Sequence, residues 1–191
     1  MQMQKAGYLI AGLFFTLLGL TIVLPYHMEA MTIKNLRPNN EVRIVYHDFG
    51  AAQPYQFIIL DAAEQYDIEP EMIAAIIITE SCYAYTNAGK TCTWVNPWAY
   101  SSTRDRGLMQ INEAHYNGKN PDLFYNPSVN IHTGARLFRE ALNARNQNIY
   151  LALSAYNTGI YSPFIQHRYA RKTLDYYAEL KEKRKVYSIY L

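Results

Sequence analysis

In AAIIITES, residues 74–81, a carboxylate closes an otherwise apolar run. On a helix, Met72, Ile76 and Glu80 stand at i, i+4 and i+8, and Ile73, Ile77 and Glu80 at 0, 4 and 7, so Glu80 falls on the isoleucine face. Burial on that face raises a carboxyl pKa, and the negative end of the helix dipole at the last turn raises it further. A carboxylic acid still protonated near neutral pH can hand its proton to a leaving oxygen. A Glu that simply emerges at a helix end and bonds a loop amide fits the same pattern, so this helix alone leaves both readings open. Three more segments bear on the choice. In GLMQIN, residues 107–112, Gly107 lets backbone approach a ligand closely, and Gln110 can both donate and accept, as an acetamido sugar requires. ALSAYNTG, residues 152–159, sets Tyr156 and Asn157 at a helix end, and NPWAYS, residues 96–101, lies just upstream of GLMQIN. Each segment alone is a weak signal, because core packing accounts for any one of them.

Taken together and in order, Glu80-Ser81, NPWAYS, GLMQI, NPSVNIHTGARLF and ALSAYNTG resemble the successive motifs of the soluble lytic transglycosylases and goose-type lysozymes, over about residues 53–180. The resemblance implies a mainly α, lysozyme-like domain of the α+β lysozyme superfamily with a groove for peptidoglycan glycan strands. It implies that Glu80 is the acid that protonates the oxygen between N-acetylmuramic acid and N-acetylglucosamine. Glu80 is then the base that takes the proton of the muramoyl 6-hydroxyl, giving a 1,6-anhydro sugar. One carboxylate suffices there, since the acetamido group and hydroxyl of the substrate replace a second; hydrolytic glycosidases usually need two. By the same resemblance Ser81 hydrogen-bonds near the acid or the acetamido group, and Met109 and Gln110 line the groove. Tyr156 lies beside Glu80, Asn157 fixes the sugar, and Tyr177 supplies an aromatic that closes the site. No cofactor is implied.

Two features depart from that family pattern. Residues 84–95 intervene between the Glu-Ser pair and Asn96-Pro97, and they contain Cys92. A Cys82–Cys92 bridge would pin this insertion beside the catalytic helix as a groove wall, with Trp94 or Trp98 free to stack on a sugar. Second, Arg104-Asp105-Arg106 precedes Gly107, and Asp105 is the only carboxylate between Glu80 and GLMQI. A surface ion pair with a neighbouring Arg is the favoured reading of Asp105. A second catalytic carboxylate, which would tilt the enzyme toward hydrolysis, is the alternative.

The elements that must position these residues are mostly helices. QPYQFIILDAAEQY carries Pro54 near its start and apolar residues at helical spacing. DIEPEMIAAIIITES repeats the signal, with Glu69 as cap, Pro70 at the first helical position and Glu71 in the first turn. Asn126-Pro127 opens a third helix, IYLALSAYNTG forms a fourth ending at Gly159 as a left-handed cap, and TLDYYAELKEKRK forms a fifth. Residues from about 82 to 125 read as loops. The division expected is 1–25 as an N-terminal membrane anchor or signal segment, 26–52 as a polar connector with one strand-like piece (EVRIVYHDF), and 53–191 as the catalytic domain.

With 191 residues, half of them apolar, the chain can bury one proper core and is short for two. Residues 6–24 form a run of nineteen residues without a charge, closed by Pro25, which is the length of a transmembrane helix; Lys5 favours an N-terminus left in the cytoplasm. The domain is thus expected to be anchored in the inner membrane and exported to the periplasm. Export makes Cys82 and Cys92, which enclose nine residues, a disulfide, and the absence of a His between them argues against a metal site. The net charge of +2 implies no polyelectrolyte partner, and no base-reading motif supports a nucleic-acid role. Seven Lys and Arg against three acids between Arg168 and Lys185 make a locally basic tail, read first as a solvated helix face and second as a contact for an anionic wall polymer or a membrane surface. Eighteen tyrosines suit sugar grooves and ordinary packing equally. Three readings compete: an anchored enzyme cutting the wall, in the service of wall turnover or of a secretion or conjugation complex; a hydrolytic lysozyme assisted by Asp105; and a wall-binding scaffold without catalysis.

Overall fold

The computed structural model describes residues 16–17, 20–21, 30–36, 41–86 and 91–190, with side chains described from 44 to 86 and from 91 to 186. The chain divides into two compact units, residues 1–48 with 183–191, and residues 49–182.

In the first unit, β1 (Thr16–Leu17) pairs antiparallel with β2 (Leu20–Thr21). These four residues lie inside the apolar run read above as a helix over 6–24, most of which falls outside the described residues. The helical expectation assumes a bilayer around the run; in its absence the β-branched Thr16 and Thr21 favour extended backbone. Among the described residues no helix is long and apolar enough to cross a membrane. Strands β3 (Ala30–Leu36), β4 (Glu41–His47) and β9 (Lys185–Tyr190) form an antiparallel sheet in the order β3-β4-β9. The strand-like EVRIVYHDF of the connector is β4. It pairs with the last residues of the chain, Val42 opposite Ile189 and Ile44 opposite Tyr187.

The second unit carries the helices. A 3-10 turn, Gly50–Tyr55, leads into α1 (Gln56–Tyr66), followed by α2 (Pro70–Ser81). Every residue of α2 from Glu71 to Ile78 is buried, so this is the central helix, wrapped on all sides. The Glu69 backbone caps α2 without a side-chain bond, and its carboxylate goes to Lys181 Nζ at 2.9 Å instead. Helix α3 (Pro127–Ala144) starts where the Asn126 side chain accepts from the N–H groups of Ser128 and Val129, at 2.9 and 3.2 Å. Helix α4 (Ile149–Thr158) is capped by the Asn148 side chain. Gly159 ends it at φ 95° and ψ 143°, which is not the left-handed helical cap expected, though it is backbone that glycine alone adopts readily. Helix α5 spans His167–Lys183, two turns longer at its start than its sequence pattern suggested. Helix α1 packs on α2 and α3, and α3 on α4, around Ile59, Ile73, Ile77, Ile131, Phe138 and Leu153.

Between α2 and α3 the chain is not plain loop. Strands β5 (Cys82–Thr86) and β6 (Thr91–Val95) form a hairpin, and β7 (Asp105–Arg106) pairs with β8 (Ile111–Asn112). The hairpin returns to its origin: Asn96 N–H donates to the Ser81 carbonyl at 2.9 Å, and Cys82–Cys92 are joined by the expected disulfide. A few small antiparallel pairs beside five helices give the mainly helical mixture expected of the fold class.

Candidate active site

Helix α2 ends where a cleft of about 470 Å³ opens, and Glu80 sits in its wall together with Asp105, Gln110, Tyr156 and Asn157. The last turn of a fully buried helix forces this placement, because the next residue turns into the hairpin. Glu80 as a residue opens on the cleft, while protein atoms crowd around its carboxyl. Burial raises its pKa from the ordinary 4.5 to about 7. A hydrogen bond from Tyr169 pulls the other way, the charge of Asp105 adds to the rise, and Lys172 opposes it. Tyr169 Oη donates to Glu80 Oε1 at 2.7 Å, and burial pushes its own pKa far above 10.

The GLMQ segment is held in place from behind. Asn130, fully buried on α3, accepts from Met109 N–H and donates to the Arg106 and Phe124 carbonyls, all at 2.7 Å. Gly107 has φ +77°, and a Cβ there would run into the Asn130 amide and the Phe124 carbonyl, so only glycine fits. A Cβ on Gly134 would lie 2.5 Å from Met109 Sδ. Tyr156 Oη donates to the Met109 carbonyl at 2.8 Å. Met109 is therefore completely buried, a packing residue behind the cleft and not a groove liner. Gln110, at φ +47°, spends its amide N–H groups on the carbonyls of Gly107 (2.8 Å) and Ala99 (3.2 Å). That orientation leaves its side-chain oxygen as the acceptor for a ligand N–H. The Asn157 side chain is exposed at the cleft and has no hydrogen-bond partner among the described residues.

Two further expectations are corrected. Ser81 is buried and bonds back to the Ile77 carbonyl at 2.9 Å, closing its own helix end. Tyr177 does not line the cleft; its hydroxyl takes a bond from Lys181 Nζ at 3.2 Å, beside Glu69. The aromatic at Glu80 is Tyr169, which sequence reading missed by starting α5 too late. Extending the apolar face back from Leu180 through Thr173 leads to it. Asn130 was missed too, although a polar residue on the stripe of Gly134, Leu137 and Ala141 signals a buried hydrogen-bond role.

Asp105 forms no ion pair with its neighbours. Arg104, at φ +65° just ahead of β7, pairs with Glu113 (2.7 Å), and Arg106 bonds Tyr116 Oη (2.9 Å). Asp105 accepts from Ser101 Oγ at 2.6 Å, Asn112 Nδ2 at 2.7 Å and the Thr103 hydroxyl. Burial tends to raise its pKa, but these hydrogen bonds outweigh it, and the net shift is downward. The cleft thus holds one carboxyl pushed up to about 7 and one held below the usual carboxylate range. Trp94 packs edge-on against Tyr83 and Trp98 against Tyr125, each pair with ring centres 5.4 Å apart; none of the four lines the cleft. Among the described residues no group of His, Cys, Asp and Glu could hold a metal ion.

Residues 57–176 match the family model of the transglycosylase SLT domain. The chain belongs to this family. Its SLT domain is similar to a curated transglycosylase of Enterobacteria phage PRD1, 34% identical over 98 residues, which are 51% of this chain and 32% of that protein. It is similar in fold to an inactive mutant of the lytic transglycosylase Slt from Pseudomonas aeruginosa, with a TM-score of 0.55 and 18% identity over 68% of this chain and 24% of that one. The 70 kDa soluble lytic transglycosylase Slt70 from Escherichia coli has a TM-score of 0.54 and 20% identity, over the same shares of the two chains. The SLT domain therefore corresponds to about a third of the curated relative and a quarter of each solved one.

Proposed function

We propose that the protein is a peptidoglycan lytic transglycosylase that cleaves the β-1,4 bond between N-acetylmuramic acid and N-acetylglucosamine, with Glu80 as acid and then base. The observation that carries this reading is the Glu80 carboxyl, half neutral at about pH 7 and held by Tyr169 in the wall of an open cleft. Its proton passes to the glycosidic oxygen as the bond to the muramoyl anomeric carbon breaks. The sugar's acetamido group stabilises the cationic centre, and the Gln110 oxygen is poised to take the N–H of such a group. Asn157, the free amide at the cleft, holds the neighbouring sugar. The Glu80 carboxylate then accepts the proton of the 6-hydroxyl as that oxygen closes onto the anomeric carbon. Atoms balance without water, and the product is the 1,6-anhydro sugar.

In this reading the domain works outside the cytoplasm, tethered by the charge-free run at residues 6–24. The Cys82–Cys92 disulfide supports an oxidising compartment. A second reading, hydrolysis, is favoured by one observation: Asp105, ionised and aimed into the same cleft, could support a water or the cationic centre.

Digestion of purified peptidoglycan by the wild type and by Glu80→Gln, with products weighed by mass spectrometry, separates the readings. Muropeptides one water lighter than hydrolytic products, absent with Glu80→Gln, are expected. Full-weight reducing ends would establish hydrolysis instead, and wall binding without any product would favour the scaffold.

A further inference from the structure

Between Phe49 and Glu182 the arginines have partners, with two exceptions. Arg104, Arg136 and Arg139 pair with Glu113, Glu140 and Asp67. Arg106 bonds Tyr116, and Arg145 bonds the Ile160 and Ser162 carbonyls. Among the described residues Arg168 and Arg171 have neither an ion pair nor a hydrogen bond from their guanidinium groups, and both are exposed. They lie one turn apart on α5 and line a second, shallow depression with His167, Lys172 and one carboxylate, Asp175, so three fixed cations face a single acid there. Lys172 ties this depression to the cleft: its Nζ reaches the Thr79 carbonyl at 3.3 Å, and its charge acts on Glu80. The loop between α4 and α5 joins the two places as well. It leaves the cleft at Gly159 and Ile160 and ends at Ile165 beside Arg168. Its backbone is fixed, with Arg145 on the Ile160 and Ser162 carbonyls and Gln166 N–H on Ser154 Oγ at 2.7 Å. Nevertheless Tyr161 and Phe164 project into solvent, 98% and 77% exposed.

Free guanidinium groups in a fixed surface await planar anions, and carboxylates fit their fork bidentately. The polymer in the cleft, under the function proposed above, carries such anions: each muramoyl residue bears a short peptide with free carboxylates. We infer that Arg168 and Arg171, with Lys172 at the inner edge, form a subsite for the carboxylates of the muramoyl stem peptide. The rigid Tyr161–Phe164 loop is the apolar floor along which that peptide leaves the cleft. The domain therefore prefers strands that carry peptides over bare glycan.

The test compares the full-length protein in detergent on intact peptidoglycan and on the same material stripped of its peptides by an amidase. The wild type should cut the peptide-bearing strands faster. Arg168→Gln combined with Arg171→Gln should reduce the ratio of the two rates about fivefold, the scale of two partly screened ion pairs. Added salt should erode the ratio in the wild type and leave it flat in the variant. Arg171→Glu, which replaces one exposed side chain by another, should lower the ratio further. An unchanged ratio in these variants would overturn the inference while Glu80→Gln, inert on both substrates, keeps the proposed reaction standing. A wild type inert on both would overturn both. A variant that keeps the ratio but no longer binds phosphatidylglycerol vesicles would assign the arginines to a lipid surface, again overturning the subsite.

Discussion

The Tyr169 hydroxyl, from the second residue past the start of α5, donates to Glu80 Oε1 at 2.7 Å at the end of α2. The bond fixes one carboxyl oxygen and leaves the other to the cleft. It also stabilises the ionised form, so it restrains the upward pull of burial on the Glu80 pKa.

Tyr169→Phe should therefore do two things. Losing a hydrogen bond to a carboxylate is worth about 2 kcal/mol, so kcat on peptidoglycan should fall at least about tenfold as the carboxyl loses its orientation. The alkaline limb of the rate profile should also move to higher pH, because Glu80 loses a partner that favours its charge. A lower rate with an unmoved limb would mean that Tyr169 only packs.

Glu80 also leaves a mark on stability. Its folded pKa of about 7 lies above the ordinary 4.5 that it regains on unfolding, so the folded state holds the extra proton between those values. Stability should be greatest below about pH 4.5 with respect to this group, decline as pH rises to about 7, and then level off. The shift corresponds to roughly 3 kcal/mol. Glu80→Gln should lack this slope and be more stable than the wild type at pH 8 by up to that amount, though inactive. Denaturant melts of both proteins at pH 4.5, 6 and 8 check this; parallel curves would mean that the carboxyl is not enclosed.

Much of this was legible in the sequence, and the reasons differ by residue. Glu80 was readable because a helical period of apolar residues points straight at it, and Pro70 and Pro127 marked helix starts because their fixed backbone suits the first turn. The disulfide was readable from two cysteines in a chain expected to be exported. The partners of Tyr169, Asn130 and Asp105 were not, because they lie 7 to 89 residues away in the chain. Met109 was expected to line the groove and Ser81 to bond near the acid or the acetamido group, where local pattern cannot say which side of a segment faces solvent. The pairing of β4 with β9 was hidden for the same reason: alternation suggests a strand but not its partner.

Asn130→Ala should cost both stability and activity. The side chain answers one backbone N–H and two carbonyls in a place closed to water. Removing it strands those groups and opens a void beside Gly107, for a loss of roughly 3 kcal/mol. Because the same bonds hold Met109 and hence Gln110, activity should fall even well below the melting temperature. Asn130→Asp tests the cause, since it retains the acceptor for Met109 N–H but turns the amide donor into a carboxylate facing the Arg106 and Phe124 carbonyls. It should be at least as damaging as Ala.

Asp105→Asn decides between the two chemistries in the cleft. The side chain keeps its size; its amide oxygen can still accept from Asn112 Nδ2, and its amide nitrogen can donate to a Ser101 hydroxyl that turns round to accept, so the fold should hold. In the lytic reaction Asp105 only adds to the upward shift of Glu80. Neutralising it should then lower the Glu80 pKa slightly, move the alkaline limb of the rate profile to lower pH, and leave most of kcat and the anhydro product intact. In the hydrolytic reaction Asp105 itself must be ionised, which its hydrogen bonds favour down to a pH below the usual carboxylate range. The variant should then lose kcat by about a hundredfold or more, in the range attributed to a positioned acid–base group. The acidic limb set by Asp105 should vanish along with the full-weight product. Rate profiles from pH 3 to 9, with products weighed at each pH, distinguish these outcomes.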